Sequence, residues 1–263
     1  RMLETGVVAA RLAGQRAMEE LRYIRKSLKN NNEMVTQADP ACQKIIIDRI
    51  SETYPDHGFL AEEGKDGKLL RIRPRGDESI WWVIDPIDGT NNFANRLLCF
   101  SVSVAAVVDG RPVVGVIFDP ATDSMYTASV DMDAQLNGST ITVSEDNIGP
   151  FASFAVDSHL NERTNRGTVK MMQQTRFRCL GSTALHFAYV AKGAVIGMVS
   201  ASSKLWDIAA GVILVQRAGG IVTDFDGKDP FPVSPEDYDG GYFGILAANK
   251  KMHSPLIDIF KGS

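Results

Sequence analysis

The chain has 263 residues, enough for one large domain or two smaller ones sharing a core. Hydrophobic residues make up 44% and charged residues 23%, an ordinary globular composition. The net charge of −4 argues against a general nucleic-acid binder, which usually shows a basic stripe, but leaves room for small anionic substrates at a local site. Cys42, Cys99 and Cys179 lie far apart with no C-x-x-C pair, so they read as buried or half-buried thiols in a reducing compartment. No apolar run approaches the roughly 18 residues of a membrane span. The N-terminal stretch is amphipathic and charged throughout, unlike a secretory leader. The expectation is a cytoplasmic protein with neither a membrane nor a nucleic-acid polymer as partner.

From Leu3 to about Leu28, apolar positions recur at helical spacing (Leu3, Val7, Ala10, Ala17, Leu21, Ile24), and "NNNE" breaks the pattern. A second helix is predicted from roughly Pro40 to Thr53, with Asp39 as its N-cap and Pro40 at the first helical position. "HGFLAEE" reads as a short strand ending in acid, and "GKDGKLLRIRPRGDES" as a glycine-rich surface loop. "WWVIDPIDGT" ends a buried strand. "FSVSVAAVVDG", "RPVVGVIFDP" and "DSMYTASV" follow as three strand-like runs punctuated by Asp-Gly and Asp-Pro turns, the pattern of an antiparallel meander, and "LNGSTITVSE" adds a hairpin.

Around Asn147 to Pro150 the character changes. "FASFAVDS", "FRCLG" and "AVIGMVS" read as strands. "NERTNRGTVKMMQQT" and "STALHFAYVAKG" read as helices, and "DIAAGVILVQRAGG" as a buried helix stopped by two glycines. The alternation predicts a fold of α+β and α/β character: residues 1–148 as an N-terminal α+β part, and 149–263 as a C-terminal α/β part that completes the site.

The chemistry concentrates in "DPIDGT". Pro86 biases Asp85 toward extended backbone, so the strand carries that carboxylate to its end. Asp88-Gly-Thr then turns the chain, and "TNNFANR" starts a helical turn whose first N–H groups, near Gly89 and Thr90, point between the carboxylates. Such a place suits a divalent cation that is itself bound to phosphate, and Mg²⁺ prefers oxygen ligands of this kind. Turn chemistry alone also explains both aspartates, because Asp-Pro and Asp-Gly are common turn formers. Three other acidic features shift the balance: Glu62 and Glu63 ending "FLAEE", Asp207 opening the apolar helix after "KLW", and Asp39 in "MVTQADP". Singly they read as a solvated face or as helix caps; together they point to a shared site.

"VIDPIDGTNNF", "AEEG" before it and "WDIAAGVILVQRAGG" near the C-terminus resemble the inositol monophosphatase family, Mg²⁺-dependent, lithium-sensitive phosphatases grouped with fructose-1,6-bisphosphatases and 3′(2′),5′-bisphosphate nucleotidases. The resemblance runs from "VTQAD" through "FDPATDSMYTA" and "GSTAL" to "AGG". It implies a layered αβαβα fold of the sugar-phosphatase type, homodimers, and two or three Mg²⁺ per active site. Glu62, Asp85, Asp88 and Asp207 match the family's metal-ligand carboxylates, and Ile87 the position that offers a carbonyl. Thr90 with Asp39 matches the pair that orients the attacking water, while Gly89 and Thr90 match the phosphate-binding N–H groups. Gly181 and Ser182 match a stretch contacting the alcohol portion of the substrate, where Asp88, Ser200, Lys204 and Asp207 are further expected contacts.

The implied reaction is attack of a Mg²⁺-activated water on the phosphorus of a small phosphate ester, with inositol monophosphate as the first expectation. A bisphosphate nucleotide, fructose 1,6-bisphosphate and a binding protein without turnover are the alternatives. A covalent aspartyl phosphate of the haloacid-dehalogenase type is disfavoured, because that class carries D-x-D-G-T whereas this chain has D-x-x-D-G-T with Pro86 inside it. Animal inositol monophosphatases carry a glutamate seven positions before the last aspartate; here that position is Ser200. "DSHLNERT" (157–164) resembles the "SRSHLNEET" type of segment in bisphosphate nucleotidases, and Lys204 is either a contact for a second phosphate or, as the expectation, a solvated lysine. His159 is expected to be a loop histidine rather than a ligand.

Overall fold

The computed structural model describes residues 1–28, 34–76 and 79–261. Helix α1 (Met2–Glu20) is followed by strands β1 (Lys26–Leu28) and β2 (Met34–Thr36), helix α2 (Ala38–Ser51), and strands β3 (Gly58–Ala61), β4 (Leu70–Ile72) and β5 (Ile80–Asp88). The short helix α3 (Thr90–Ala94) leads into β6 (Ser101–Val108), β7 (Arg111–Asp119), β8 (Ser124–Ser129), β9 (Met132–Leu136) and β10 (Ser139–Thr140). The remainder is β11 (Ser153–Val156), α4 (Glu162–Gln174), β12 (Arg176–Arg178), α5 (Thr183–Ala191), β13 (Gly197–Ser203), α6 (Leu205–Arg217), β14 (Ile221–Thr223), β15 (Phe243–Ala248) and α7 (His253–Lys261).

Among the described residues the strands form an eight-stranded sheet ordered β10-β9-β8-β7-β6-β5-β3-β4, a five-stranded sheet ordered β12-β11-β13-β15-β14, and the β1-β2 hairpin. Period-two alternation of side chains assigns the layers. Trp82, Ile84, Val104 and Val116 share a core with Ala9, Ala13, Ile46 and Ile50 of α1 and α2. Trp81, Val83 and Ala105 face the other way, into a core with Phe187, Ala188, Ile208, Val212 and Ile213 of α5 and α6. That middle core also takes Ala155, Met198, Ile245 and Ala247 from the five-stranded sheet. The far face of this second sheet, with Phe154, Val199 and Leu246, packs on Met171 of α4 and on Leu256 and Phe260 of α7. The order is αβαβα. Because helices cover both faces of β5, its sequence is a continuous apolar run rather than an alternating one.

Several boundaries differ from the expected ones. α1 ends at Glu20, because the Gln37 side chain donates to the Glu20 carboxylate (2.9 Å) and to the Tyr23 carbonyl (3.0 Å) and so closes the helix end. The chain then enters β1, which pairs antiparallel with β2; "NNNE" lies outside the described residues. The loop expected after Glu63 contains β4, an edge strand paired with β3. Asp39 is inside the first turn of α2 rather than at its N-cap, which is Gln37. Its carboxylate instead reaches back to the Thr36 N–H (2.9 Å) and hydroxyl (2.6 Å).

Candidate active site

The unusual spacing of Asp85 and Asp88 is resolved by the backbone. In a regular strand, residues three apart point to opposite faces. Asp85 pairs with Ser103 of β6 and Asp88 with Ser101, so β5 spends three steps where β6 spends two. That one-residue bulge turns both carboxylates to the same side. Asp85 accepts from the Ile87 N–H (3.0 Å) within the bulge, which fixes its orientation.

Neighbouring elements bring in the rest. Parallel pairing aligns Ala61 of β3 with Ile84, and the Glu62 N–H donates to the Ile84 carbonyl (3.3 Å), so Glu62 follows β3 alongside Asp85. Gln43 of α2 holds this turn by a reciprocal pair with the Glu63 backbone (2.6 and 2.9 Å). Ser103 donates to the Trp206 carbonyl (3.0 Å), tying the first turn of α6 to the strand position opposite Asp85. Asp207 is the third residue of α6 and accepts from the Lys204 N–H at the N-cap (2.7 Å). The result is three carboxylates, Asp85, Asp88 and Asp207, with oxygens all within 4.8 Å of one another.

Asp88 is also bound to the other half of the chain. It accepts from the Ser182 hydroxyl, the Ala184 N–H (2.7 Å) and the Thr183 N–H (3.2 Å), all at the start of α5. Close backbone approach makes this possible. Gly89 has φ 94°, and a Cβ there would sit 2.9 Å from the Gly181 carbonyl oxygen and 3.1 Å from that of Cys99. Asn92 bridges the same two loops, donating to the Cys99 (2.7 Å) and Leu180 (2.6 Å) carbonyls.

Burial, with repulsion from neighbouring carboxylates, raises the pKa of Asp85, Asp88 and Asp207. Asp88 is pushed up to about 6, first by burial, against the lowering effect of its hydrogen bonds. Asp85 and Asp207 are raised further above the carboxylate range by burial, with Glu62 the next cause for Asp85 and Asp88 for Asp207. Asp39 lies behind Thr90 and is also pushed up to about 6 by burial. The Thr90 hydroxyl stands 3.1 Å from Asp39 Oδ1 and 3.0 Å from the Ile87 carbonyl oxygen, either of which it can serve as donor.

Glu62, Asp85, Ile87, Asp88, Gly89, Thr90, Lys204 and Asp207 line one cavity of about 460 Å³. Asp39, Gly181, Ser182 and Ser200 are not among the lining residues: Asp39 lies against Thr90, Ser182 against Asp88 and Gly181 beside Gly89, while buried Ser200 contacts Asp157, which is also outside the lining. Lys204 is not a solvated lysine. It is the N-cap of α6, and its ammonium donates to the Gly240 carbonyl and lies 3.6 Å from the centre of the Tyr242 ring. His159 follows β11 in a loop at the rim. Ser202, Trp206 and Tyr242 also line the cavity. Trp206 adjoins Asp207 in sequence, but nothing local marks Tyr242, which approaches from 35 residues further on.

The donor set is wholly oxygen, and no described lysine or arginine forms an ion pair with Asp85, Asp88 or Asp207. Two buried carboxylates and a half-buried third, clustered without a protein cation, fit a hard divalent ion such as Mg²⁺.

A sequence profile of the inositol monophosphatase family matches residues 1–262. The Nus factor SuhB of Escherichia coli K12 is 35% identical over 269 aligned positions that cover 99% of this chain and 98% of that protein. Among solved structures, the extragenic suppressor protein suhB of Bartonella henselae superposes with a TM-score of 0.88 at 29% identity, covering 99% of this chain and 98% of the other. An IMPase from Thermotoga maritima does so with a TM-score of 0.85 at 31% identity, covering 99% and 97%.

Proposed function

The chain belongs to the inositol monophosphatase family, and on that premise we propose that it is a Mg²⁺-dependent phosphoric monoester hydrolase for a small phosphate ester, inositol monophosphate first. The observation that carries this reading is the convergence of Asp85, Asp88 and Asp207 on one cavity, the first two brought to one side by the β5 bulge and the third by the first turn of α6. Those three carboxylates, with Glu62 and the Ile87 carbonyl, would hold the metal. When bound, Mg²⁺ supplies Lewis-acid polarisation of the phosphoryl oxygens and lowers the pKa of water.

The chain's own groups supply the proton path. With its pKa near 6, Asp39 is ionised yet basic enough at neutral pH to take a proton. Its Oδ1 receives the Thr90 hydroxyl proton while Thr90 Oγ1 takes one from the attacking water. The oxygen of that water forms the new bond to phosphorus, the ester bond breaks, and the departing alcohol oxygen is protonated from solvent. Asp85 acts as a ligand rather than a nucleophile, since its carboxylate is buried and tied to the Ile87 N–H.

A non-catalytic role is the second reading, favoured by the name Nus factor carried by the Escherichia coli relative. One assay separates the two. Release of phosphate from inositol 1-phosphate, 3′-phosphoadenosine 5′-phosphate and fructose 1,6-bisphosphate is measured with Mg²⁺, with a chelator, and with excess Ca²⁺. Turnover should require Mg²⁺ and fall with Ca²⁺, which prefers longer bonds and more ligands. Full turnover in chelator overturns the metal assignment, and no turnover on any ester favours the second reading.

A further inference from the structure

His186 is a buried polar side chain that the proposed reaction does not use. It is the fourth residue of α5 and is fully buried. An imidazole in such a place costs free energy unless its nitrogens find partners. Its Nε2 accepts from the Leu180 backbone N–H (3.0 Å), while its Nδ1 has no partner among the described residues. A backbone N–H can only donate, so Nε2 is the bare nitrogen and the ring proton sits on Nδ1. Burial pushes the pKa of the ring down to about 4, which keeps Nε2 an acceptor at neutral pH.

What Nε2 holds is a turn that reaches the acidic site. Leu180 is fixed on both sides of its backbone, its N–H by His186 and its carbonyl by the Asn92 side chain (2.6 Å). Asn92 belongs to α3, four residues after Asp88, and also donates to the Cys99 carbonyl (2.7 Å). Gly181 follows with φ 72°, and a Cβ there would sit 2.6 Å from Asn92 Nδ2, so the turn closes directly on that side chain. Ser182 comes next. Its hydroxyl oxygen caps α5 by accepting from the Leu185 N–H (3.2 Å), and its proton goes to Asp88. The contacts form a closed circuit from Asp88 through α3 and Asn92 to the Leu180 turn, then through Ser182 back to Asp88. His186 ties that circuit to the helix whose first N–H groups also bind Asp88.

We propose that His186 is a positioning residue for the cation site: its Nε2 fixes the turn that brings the Ser182 hydroxyl to Asp88, and so the direction in which Asp88 presents its carboxylate. This rests on the metal-dependent reading above. A ligand carboxylate with one oxygen held by fixed donors is oriented before the metal arrives, and the groups that hold it tune affinity without touching the ion. An apolar side chain would fill the same space in α5 and accept nothing. The Leu180 N–H would then lose its acceptor, and the turn would have to move to find another. Ser182, two residues along, would move with it.

The test replaces His186 by Phe, which keeps a ring and accepts nothing, and by Gln, whose amide oxygen reaches about as far as Nε2. Calorimetry of Mg²⁺ binding to the metal-free protein is read beside urea unfolding in chelator. His186→Phe should raise the Mg²⁺ dissociation constant on the order of 10-fold, and His186→Gln should recover most of that loss. Asn92→Ala should weaken Mg²⁺ as well. The double variant should lose much less than the product of the two single losses, because both act through one turn. Unchanged Mg²⁺ affinity in His186→Phe, whatever its stability, overturns the inference. Equal weakening in the Phe and Gln variants, or full additivity with Asn92→Ala, does the same. If His186→Phe does not fold, nitrogen-15 spectra of the wild type decide. The ring proton should lie on Nδ1, and the His186 Nε2 and Leu180 amide signals should shift together when Mg²⁺ is added. A proton on Nε2, or signals indifferent to Mg²⁺, overturns the inference. Binding is read without turnover, so the two readings fail separately. A wild type that binds Mg²⁺ in a His186-dependent way but hydrolyses no ester sinks the phosphatase reading and leaves this inference standing. A wild type that binds no Mg²⁺ sinks both.

Discussion

At the scale of single residues, Asp88 has two demands placed on it. It receives three hydrogen bonds from the start of α5, which favours a charge there, and it faces Asp85 and Asp207, which opposes one. Asp88→Asn keeps one acceptor oxygen, enough for Ser182 and Ala184, gives up the weaker bond from the Thr183 N–H, and removes the repulsion and the burial cost of a charge. The metal-free variant should therefore melt at or above the wild-type temperature at pH 7.5, while added Mg²⁺ should raise its melting temperature less than it raises that of the wild type. Turnover should fall at least about 100-fold, the usual scale for removing one preorganised electrostatic contact. Thermal melts with and without Mg²⁺, beside a phosphate-release assay, check both halves. Near-wild-type turnover would reduce Asp88 to a helix anchor.

At the scale of elements, the site depends on α6 lying close to the eight-stranded sheet. Gly115 of β7 allows this, because a Cβ there would meet the Ala210 carbonyl oxygen and Ile213 Cγ2, both at 2.6 Å. Gly115→Ala should cost about 1–3 kcal/mol through overpacking. It should also weaken Mg²⁺ dependence, since the helix it displaces carries Asp207; unfolding in urea and a Mg²⁺ titration of activity measure the two effects. A stability loss with unchanged Mg²⁺ dependence would show that α6 moves without its first turn. The sequence carried the central elements well, because β5 to β8 and α6 are long apolar runs bounded by Asp-Gly, Asp-Pro or Gly-Gly. It carried the edges poorly. β4 has mostly exposed side chains and no alternation to betray it, and the end of α1 is set by Gln37, a residue from a later element. β14, β15 and α7 follow Gly220, where sequence analysis assigned nothing, since "DFDGKDPFPVSPEDYDGG" intervenes and hides the period. The carboxylates were legible as a group, but the bulge that aims two of them and the Ser200–Asp157 contact are products of strand pairing, which spacing does not encode.

At the scale of the whole molecule, a buried acidic centre makes stability depend jointly on pH and on the cation. Asp39 and Asp88 are pushed from 3.8 to about 6 by burial, and Asp85 and Asp207 are raised as well. A carboxylate whose folded pKa exceeds its unfolded one contributes stability that is complete below about pH 4 and lost as pH rises through about 6. For Asp39 alone the shift corresponds to about 3 kcal/mol, at roughly 1.4 kcal/mol per unit. His186 works the other way. Burial pushes it from 6.5 down to about 4, so it adds stability as pH climbs through that interval. The melting curve of the metal-free protein is a sum of the two and has no diagnostic slope. The difference between Mg²⁺-loaded and metal-free protein removes the histidine, a buried residue of α5 that is not one of the cation's carboxylate ligands. A cation held by these carboxylates needs them ionised, and all three are raised, so its binding competes with protons increasingly as the pH falls. At a concentration 100-fold above its dissociation constant, a ligand stabilises by about 2.7 kcal/mol, and each displaced proton removes about 1.4 kcal/mol per pH unit. The gap in melting temperature should therefore be large at pH 7.5, shrink at pH 6 and nearly close at pH 5. Melts at those three pH values, in chelator and in excess Mg²⁺, read it directly, and a gap that stays constant across them would place the cation somewhere other than Asp85, Asp88 and Asp207.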